Sequence, residues 1–257
     1  MKPNFCVITT TYRRPESVLR AVSSVENQSY PNWQHIVVID DPDSDYTKLR
    51  ALPTKSSRLK IIDNQKNIGK NASVNSAFIL LKKHSFDGYV ILLDDDDWLA
   101  PNCLHDFAEV IIKTPYPWLV SNRTIANTGD SLIINTTQKD IISYQYNYLL
   151  KKDFSGDVTH CLYFPSIRNV PFPLSIKNAE EWLYFAHVST IHPRFKYLPT
   201  TGTLSDGYAS AGLTNLYRQN HEKRKNSFLL FKEIWHRKIL SPLILVYVVL
   251  RLIRSVF

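Results

Sequence analysis

The chain holds three cysteines in 257 residues, Cys6, Cys103 and Cys161, and no two stand at metal-ligand spacing. Scattered and odd in number, they offer neither a disulfide framework nor a thiolate metal site, and they fit a reducing compartment. No secretory apolar stretch precedes the first strand pattern, since Met1-Lys2-Pro3-Asn4 leads straight into it. The expected location is therefore cytoplasmic. An apolar run of the ~20 residues needed for a membrane span is also missing. The best candidate, Ile239 to Leu250, is shorter and is broken by Ser241-Pro242. Internal repeats and low-complexity segments are absent too.

A net excess of basic charge is missing over most of the chain. The formal net charge is +8, but from Arg218 onward nine Lys/Arg face only Glu222 and Glu233. The tail thus carries +7, and the first 217 residues are almost neutral. A body without a basic stripe argues against a nucleic-acid partner. Partner choice follows from the tail instead.

With 44% hydrophobic and 21% charged residues, the composition excludes wholesale disorder. The length allows one large core plus an appendage, which divides the chain into residues 1–217 and a basic, apolar helical tail, 218–257. Strand and helix patterns alternate over the first 125 residues. Strands are expected at Phe5–Thr10, Trp33–Asp40, Leu59–Asp63 and Gly88–Leu93, and helices at Pro15–Glu26, Ala72–Lys83 and Asn102–Lys113. Continuous apolar strands joined by helical crossovers imply an α/β fold with a mostly parallel sheet covered on both faces. The second half is less regular. Strands are expected at Trp118–Asn122 and Ser131–Asn135, helices at Lys139–Leu150 and Asn178–Ser189, and a Gly/Ser-rich loop at Thr200–Leu213.

Four consecutive carboxylates, Asp94 to Asp97, end the run Tyr89-Val90-Ile91-Leu92-Leu93 and precede Trp98. Four like charges in a row call for a cation or open water. A strand end can aim alternate carboxylates, Asp94 and Asp96, into one pocket, and hard oxygen ligands suit Mg²⁺ or Mn²⁺. One aspartate would serve as a helix cap; that role does not account for four. Open α/β sheets bind ligands beyond the carboxyl ends of their strands. Thr10-Thr11-Tyr12-Arg13, Asp40-Asp41 and Asp94–Asp97 all fall at such ends, so three polar clusters converge on one rim.

The tail joins an amphipathic helix candidate, Phe228–Ile239, to the apolar Ile239–Leu250, with Arg251 and Arg254 beyond. A helix lying in an anionic membrane surface fits this pattern. A C-terminal helix packed on the body fits it as well, because a short apolar run does not distinguish the two.

In order and spacing these pieces resemble family 2 glycosyltransferases of the GT-A fold, from about Phe5 to about Thr214. The matching segments are Thr9-Thr10-Thr11-Tyr12-Arg13-Arg14-Pro15, Val37-Val38-Ile39-Asp40-Asp41, Asn67-Ile68-Gly69-Lys70-Asn71 and Leu93-Asp94-Asp95-Asp96-Asp97-Trp98. The resemblance implies that Thr10, Tyr12, Arg13 and Asp41 or Asp40 hold the nucleotide base. An aspartate can accept the imide N–H of uracil. Asn67, Lys70, Asp94 and Asp95 are expected on the rest of the donor, with Lys70 toward the diphosphate and Asp94 toward the ribose. Asp96, with Asp94, is expected to hold the metal. The acidic pair that such enzymes carry before a tryptophan stands here as Glu180-Glu181-Trp182, with Glu181 the expected base and Glu180 its neighbour.

Two departures accompany the match: Pro42 stands where glycine is usual, and Ser205-Asp206-Gly207-Tyr208-Ala209-Ser210 lacks the usual Arg and His. The function expected on this basis is an inverting, metal-dependent transfer of a hexose, UDP-glucose or UDP-galactose first, to a lipid-diphosphate-linked glycan. Its setting would be the cytoplasmic leaflet of the plasma membrane, in bacterial O-antigen or capsule assembly. A degenerate, non-catalytic nucleotide-sugar binder is the alternative. A sugar-phosphate nucleotidyltransferase would need a glycine-rich loop after the first strand, where Thr9–Tyr12 has no glycine.

Overall fold

The computed structural model describes residues 2–52, 58–135, 139–176, 180–207 and 229–256. Strand β1 (Phe5–Thr11) is buried almost throughout and pairs in parallel with β2 (Trp33–Ile39) and β4 (Tyr89–Leu92). Strand β3 (Leu59–Asp63) adds to β2, also in parallel. Helix α1 (Ser17–Glu26) buries Val18, Ala21, Val22 and Val25, the i, i+3, i+4, i+7 stripe of an amphipathic helix. It begins two residues after Pro15. A one-turn helix α2 (Thr47–Arg50) precedes β3, and α3 (Lys70–Lys83) and α4 (Cys103–Lys113) cover the sheet near their expected places.

Beyond β4 the sheet turns mixed. Its order is β3-β2-β1-β4-β10-β6-β11-β5, where β5 is Trp98–Leu99, β6 Trp118–Ile125, β10 Val158–Tyr163 and β11 Arg194–Ser205. Strand β10 runs antiparallel to both β4 and β6, while β11 is parallel to β6. The short β7 (Ile133–Asn135) and β9 (Phe154–Gly156) pair with each other, and β8 (Ile141–Ser143) pairs with β11.

Several expectations are corrected here. Lys139–Leu150 is not a helix throughout: β8 is followed by a π-helical segment, Tyr144–Lys151, opened by Ser143, whose side chain accepts from the Tyr146 N–H. Thr200–Ser205 belongs to β11 rather than to a loop. Pro199 lies within a register shift between Leu198 and Thr201, which hides the strand period from the sequence. At Gly202 an added Cβ would meet the Ser121 Oγ at 2.1 Å, so only glycine permits that contact between strands. The remainder of the expected loop, 208–213, and the basic run Arg218–Lys225 lie outside the described residues.

Helix α5 (Phe164–Ile167) follows β10, and α6 (Glu181–Ile191) carries the acidic pair into the fold. Asn75 donates to the Phe172 carbonyl and accepts from its N–H, and Asn71 donates to the Ile176 carbonyl at 2.7 Å. These two side chains, one turn apart on α3, fix the approach to α6. The tail forms α7 (229–236) and α8 (Pro242–Val256), with Pro242 at the first helical position. Leu230, Ile234, Ile239, Ile244 and Val248 are buried in the larger core. The inner face of the tail is thus packed on the body. Among the described residues no helix is long and apolar enough to cross a membrane.

Candidate active site

The carboxyl ends of β1, β2 and β4 meet on one rim. Along Asp94–Asp97 the side chains alternate: Asp94 and Asp96 are partly exposed, while Asp95 and Asp97 are buried. A tight turn, with the Asp97 N–H donating to the Asp94 carbonyl at 3.2 Å, maintains that alternation. Asp95 is tied inward, accepting from the Thr11 Oγ1 at 2.9 Å and from Arg14 at 3.0 Å. Burial pushes its carboxyl up to about 6, against Arg14 and Thr11, which act in the other direction. Its geometry is that of a strut beneath the rim.

Arg14 also reaches Asp96, at 2.6 Å. It is a functional candidate that sequence reasoning left without a role, although it sits inside the first motif. The overlooked signal was a second arginine directly beside Arg13. Asp97 was likewise unassigned. It pairs with Arg123 at 2.9 Å, while burial and the charge of Asp94 raise its pKa. One carboxylate oxygen from each of Asp94, Asp96 and Asp97 lies within 4.8 Å of the others. Three hard oxygen donors this close fit a divalent cation such as Mg²⁺ or Mn²⁺. Asp94 and Asp96 are the solvent-accessible members of the three and would hold it.

Lys70, at the start of α3, joins the two halves of the site. Its Nζ lies 2.5 Å from the Asp94 Oδ1 and also pairs with the Glu181 Oε1. Burial works against the ammonium, but the two carboxylates outweigh it and raise its pKa. Lys70 in turn holds Asp94 below the usual carboxylate range, against the effect of burial.

Glu180 and Glu181 part company at the entrance to α6. Glu180 adopts left-handed backbone, φ 59, and turns away: it accepts from the Trp182 indole N–H and from Arg251 of α8 at 2.5 Å. Its carboxylate anchors the tail helix, and Glu181 is the one that faces the cleft.

The adjacent aspartates after β2 also divide. Asp40 accepts from the Asn64 side chain and from the Ile68 and Gly69 N–H groups, at 2.8 to 2.9 Å. Both its oxygens are thereby engaged in shaping the loop that carries Asn67, which is half-buried, toward Lys70. Asp41 accepts from the Arg13 N–H at 3.0 Å and joins the loop after β1 to the loop after β2. Burial would raise its pKa, but hydrogen bonds from Ser44, Arg13 and Asp43 outweigh it and lower the value. Thr10 is half-buried, and Tyr12 and Arg13 are exposed, with the guanidinium 5.1 Å from the tyrosine ring centre.

Next to Asp94, Asp97 and Glu181 a cavity of about 220 Å³ is walled by Tyr144, Trp182 and Phe185 and floored by His160. His160 accepts from the Trp118 indole N–H at 3.1 Å if its Nδ1 is the unprotonated nitrogen, and it stacks on Phe185 with ring centres 3.7 Å apart. Burial lowers its pKa to about 3, which keeps it neutral.

Comparison with known proteins adds the following. Residues 6–169 match the family model for glycosyl transferase family 2. Over 168 residues the chain is 29% identical to the UDP-Glc:alpha-D-GlcNAc-diphosphoundecaprenol beta-1,3-glucosyltransferase WfgD of Escherichia coli, covering 65% of this chain and 63% of that enzyme. The chain therefore spans less than two thirds of that relative's length. Among solved structures, residues 1–349 of S. aureus TarS in complex with UDP-GlcNAc superpose with a TM-score of 0.70 at 17% identity, over 94% of this chain and 71% of TarS. The mannosyltransferase PcManGT of Pyrobaculum calidifontis, in complex with GDP-Man and Mn2+, gives 0.60 at 14% identity, over 100% of this chain and 76% of that one. The sheet and its flanking helices are thus the GT-A fold.

Proposed function

The chain belongs to glycosyl transferase family 2, and on that premise we propose that it transfers a hexose from a UDP-sugar, with inversion, to a lipid-diphosphate-linked glycan. The observation that carries this reading is Lys70, whose ammonium touches both Asp94 on the donor rim and Glu181 at the head of α6. Donor-binding and proton-accepting groups are thereby brought within reach of one side chain.

The uracil would lie against the loops after β1 and β2, where Thr10, Tyr12, Arg13 and Asp41 meet. Asp94 and Asp96 would hold a divalent ion, which when bound supplies positive charge against the departing diphosphate. Lys70 faces the same position and offers a second cation. Glu181 takes the proton from the acceptor hydroxyl as that oxygen forms its bond to the anomeric carbon; the bond from that carbon to the phosphate oxygen breaks, and UDP leaves. The aromatic walls of the adjacent cavity exclude water from the reacting centre.

UDP-glucose and UDP-galactose are the first donors to test, the former supported by the donor in the E. coli relative's name. That relative's acceptor, an N-acetylglucosamine on a diphospholipid, supports the acceptor class. Bacterial surface-polysaccharide assembly at the inner face of the plasma membrane is the setting these readings favour, with the tail as the membrane-facing part.

The test is UDP release from a panel of UDP-sugars, with Mn²⁺ and with chelator, offering lipid-diphosphate GlcNAc or GalNAc to the native chain and to Asp96→Ala. Metal-dependent turnover with one donor, lost in the variant, is the expected result. Metal-dependent UDP binding without turnover across acceptors would identify a non-catalytic binder. Absence of UDP binding would overturn the reading of the rim.

A further inference from the structure

A second cavity, about 240 Å³, opens between the π-helical segment and α8. Its lining has two characters: Lys151, Lys152 and Arg251 are cationic, and Leu149, Tyr247 and Leu250 are apolar. Among the described residues neither lysine makes an ion pair. Lys151 has only a ring contact, its ammonium 5.3 Å from the centre of Tyr146. Arg251 shares Glu180. Outside the cavity the apolar character continues along α8, where Val246 and Val249 are exposed although Ile244 and Val248 are already buried in the core. On the preceding segment Phe231, Trp235 and Leu240 are exposed as well. A helix that has buried one apolar face has no folding reason to keep a second one in water.

The geometry points to this cavity as the seat of a diphosphate joined to a long hydrocarbon chain, with the chain running along the outer face of α8. The assignment rests on the acceptor class proposed above and locates its carrier. Among the described residues, three lining cations against the one carboxylate paired with them, Glu180, leave an excess of two positive charges, which suits the two ionised oxygens of a diphosphate diester. A phospholipid phosphodiester carries only one. Position supports the assignment independently of charge. Trp182 lines the catalytic cavity and packs on Tyr247 of this one, ring centres 5.0 Å apart. Arg251 holds Glu180, the residue before Glu181. A glycan attached to a diphosphate in this cavity therefore begins beside the proposed base.

The experiment is co-sedimentation of the full chain with phosphatidylcholine vesicles. One set carries lipid-diphosphate GlcNAc, a second carries phosphatidylglycerol at equal total charge, and a third carries neither. Native chain, the pair Lys151→Ala/Lys152→Ala and the pair Lys151→Arg/Lys152→Arg are compared. Native chain is expected to bind the diphosphate vesicles about tenfold tighter than those with phosphatidylglycerol. The alanine pair should lose roughly thirtyfold on diphosphate vesicles, and the arginine pair should stay within about twofold. In turnover assays the alanine pair should raise KM for the long-chain acceptor about tenfold, leaving kcat and the donor KM within about twofold.

Equal binding to the two anionic vesicles would reduce the site to a general headgroup surface and overturn the assignment, as would native-like binding by the alanine pair. The vesicle measurement needs no turnover. Selective diphosphate binding without sugar transfer would therefore leave the site standing and sink the proposed activity. Transfer with native-like vesicle binding and KM in the alanine pair would do the reverse.

Discussion

Residues 5–113 and residues 118–205 contribute opposite walls of one cleft by different means. In the first, short connections at parallel strand ends bring carboxylates together, and each carboxylate is fixed by neighbours on adjoining loops: Asp40 by the 64–69 loop, Asp41 by the Arg13 N–H, Asp95 by Thr11 and Arg14. In the second, an aromatic wall of Tyr144, Trp182 and Phe185 stands beside Asp157, which Arg123 holds, and around the outward carboxylate of Glu181. The Glu181 carboxylate is held by Lys70 from the first region, and its neighbour Glu180 is held by the tail. The donor side is thus assembled from contacts within its own region, whereas the acceptor side depends on contacts from outside its region. Substitutions on the two sides should accordingly separate into effects on donor binding and fold, and effects on turnover.

Glu181→Gln tests that separation most strongly. Glutamine preserves an acceptor for Lys70 but takes up no proton, so kcat should fall by about 10²–10⁴ while UDP affinity stays within about twofold. Calorimetric UDP titration beside initial rates gives both numbers. A parallel loss of UDP binding would mean that the two walls act as one unit and that the comparison fails.

On the donor side, Asp40→Ala should act through the fold. It leaves the Asn64 side chain and the Ile68 and Gly69 N–H groups without their acceptor in a buried setting. A cost of about 3 kcal/mol is expected, read as a lower denaturant midpoint with an unchanged m-value. Folded protein should still bind UDP. Undiminished stability together with lost UDP binding would return Asp40 to the base pocket.

The same contrast explains what could be read from the chain alone. Strands β1 to β4 were legible because continuous buried runs such as Ile36-Val37-Val38-Ile39 end at polar clusters, and each such end is a local signal. Strands β10 and β11 were not, since their place in the sheet comes from pairing with β6 and β4 across long separations. The outward placement of Asp94 and Asp96 matches the expectation drawn from strand period, although a turn beyond β4 delivers it. The inward roles of Asp95, Asp40 and Glu180 did not, because each is set by a partner distant in sequence: Arg14, the Ile68 and Gly69 N–H groups, and Arg251. Sequence pattern left two readings of the tail. Its inner face is packed on the body, and its outer face is still apolar and exposed.

Acid stability gives the smallest of these effects and probes the donor side alone. His35 is buried on β2, with Nε2 3.0 Å from the Thr9 Oγ1 and, among the described residues, no partner for Nδ1. Burial lowers its pKa from 6.5 to about 3. Between those values the unfolded chain binds a proton that the folded chain refuses. The stabilisation is therefore complete above pH 6.5 and declines as the pH falls toward 3. Between pH 7 and pH 5 this one group should withdraw about 2 kcal/mol. His35→Gln keeps a side chain able to pair with Thr9 and removes the titration, so the variant should lose less stability than the native chain over the same interval. Urea denaturation at the two pH values measures the difference. Identical losses would show that His35 is solvated in the folded protein, and the sealed packing ascribed to the strands beneath the donor rim would then be wrong at that point.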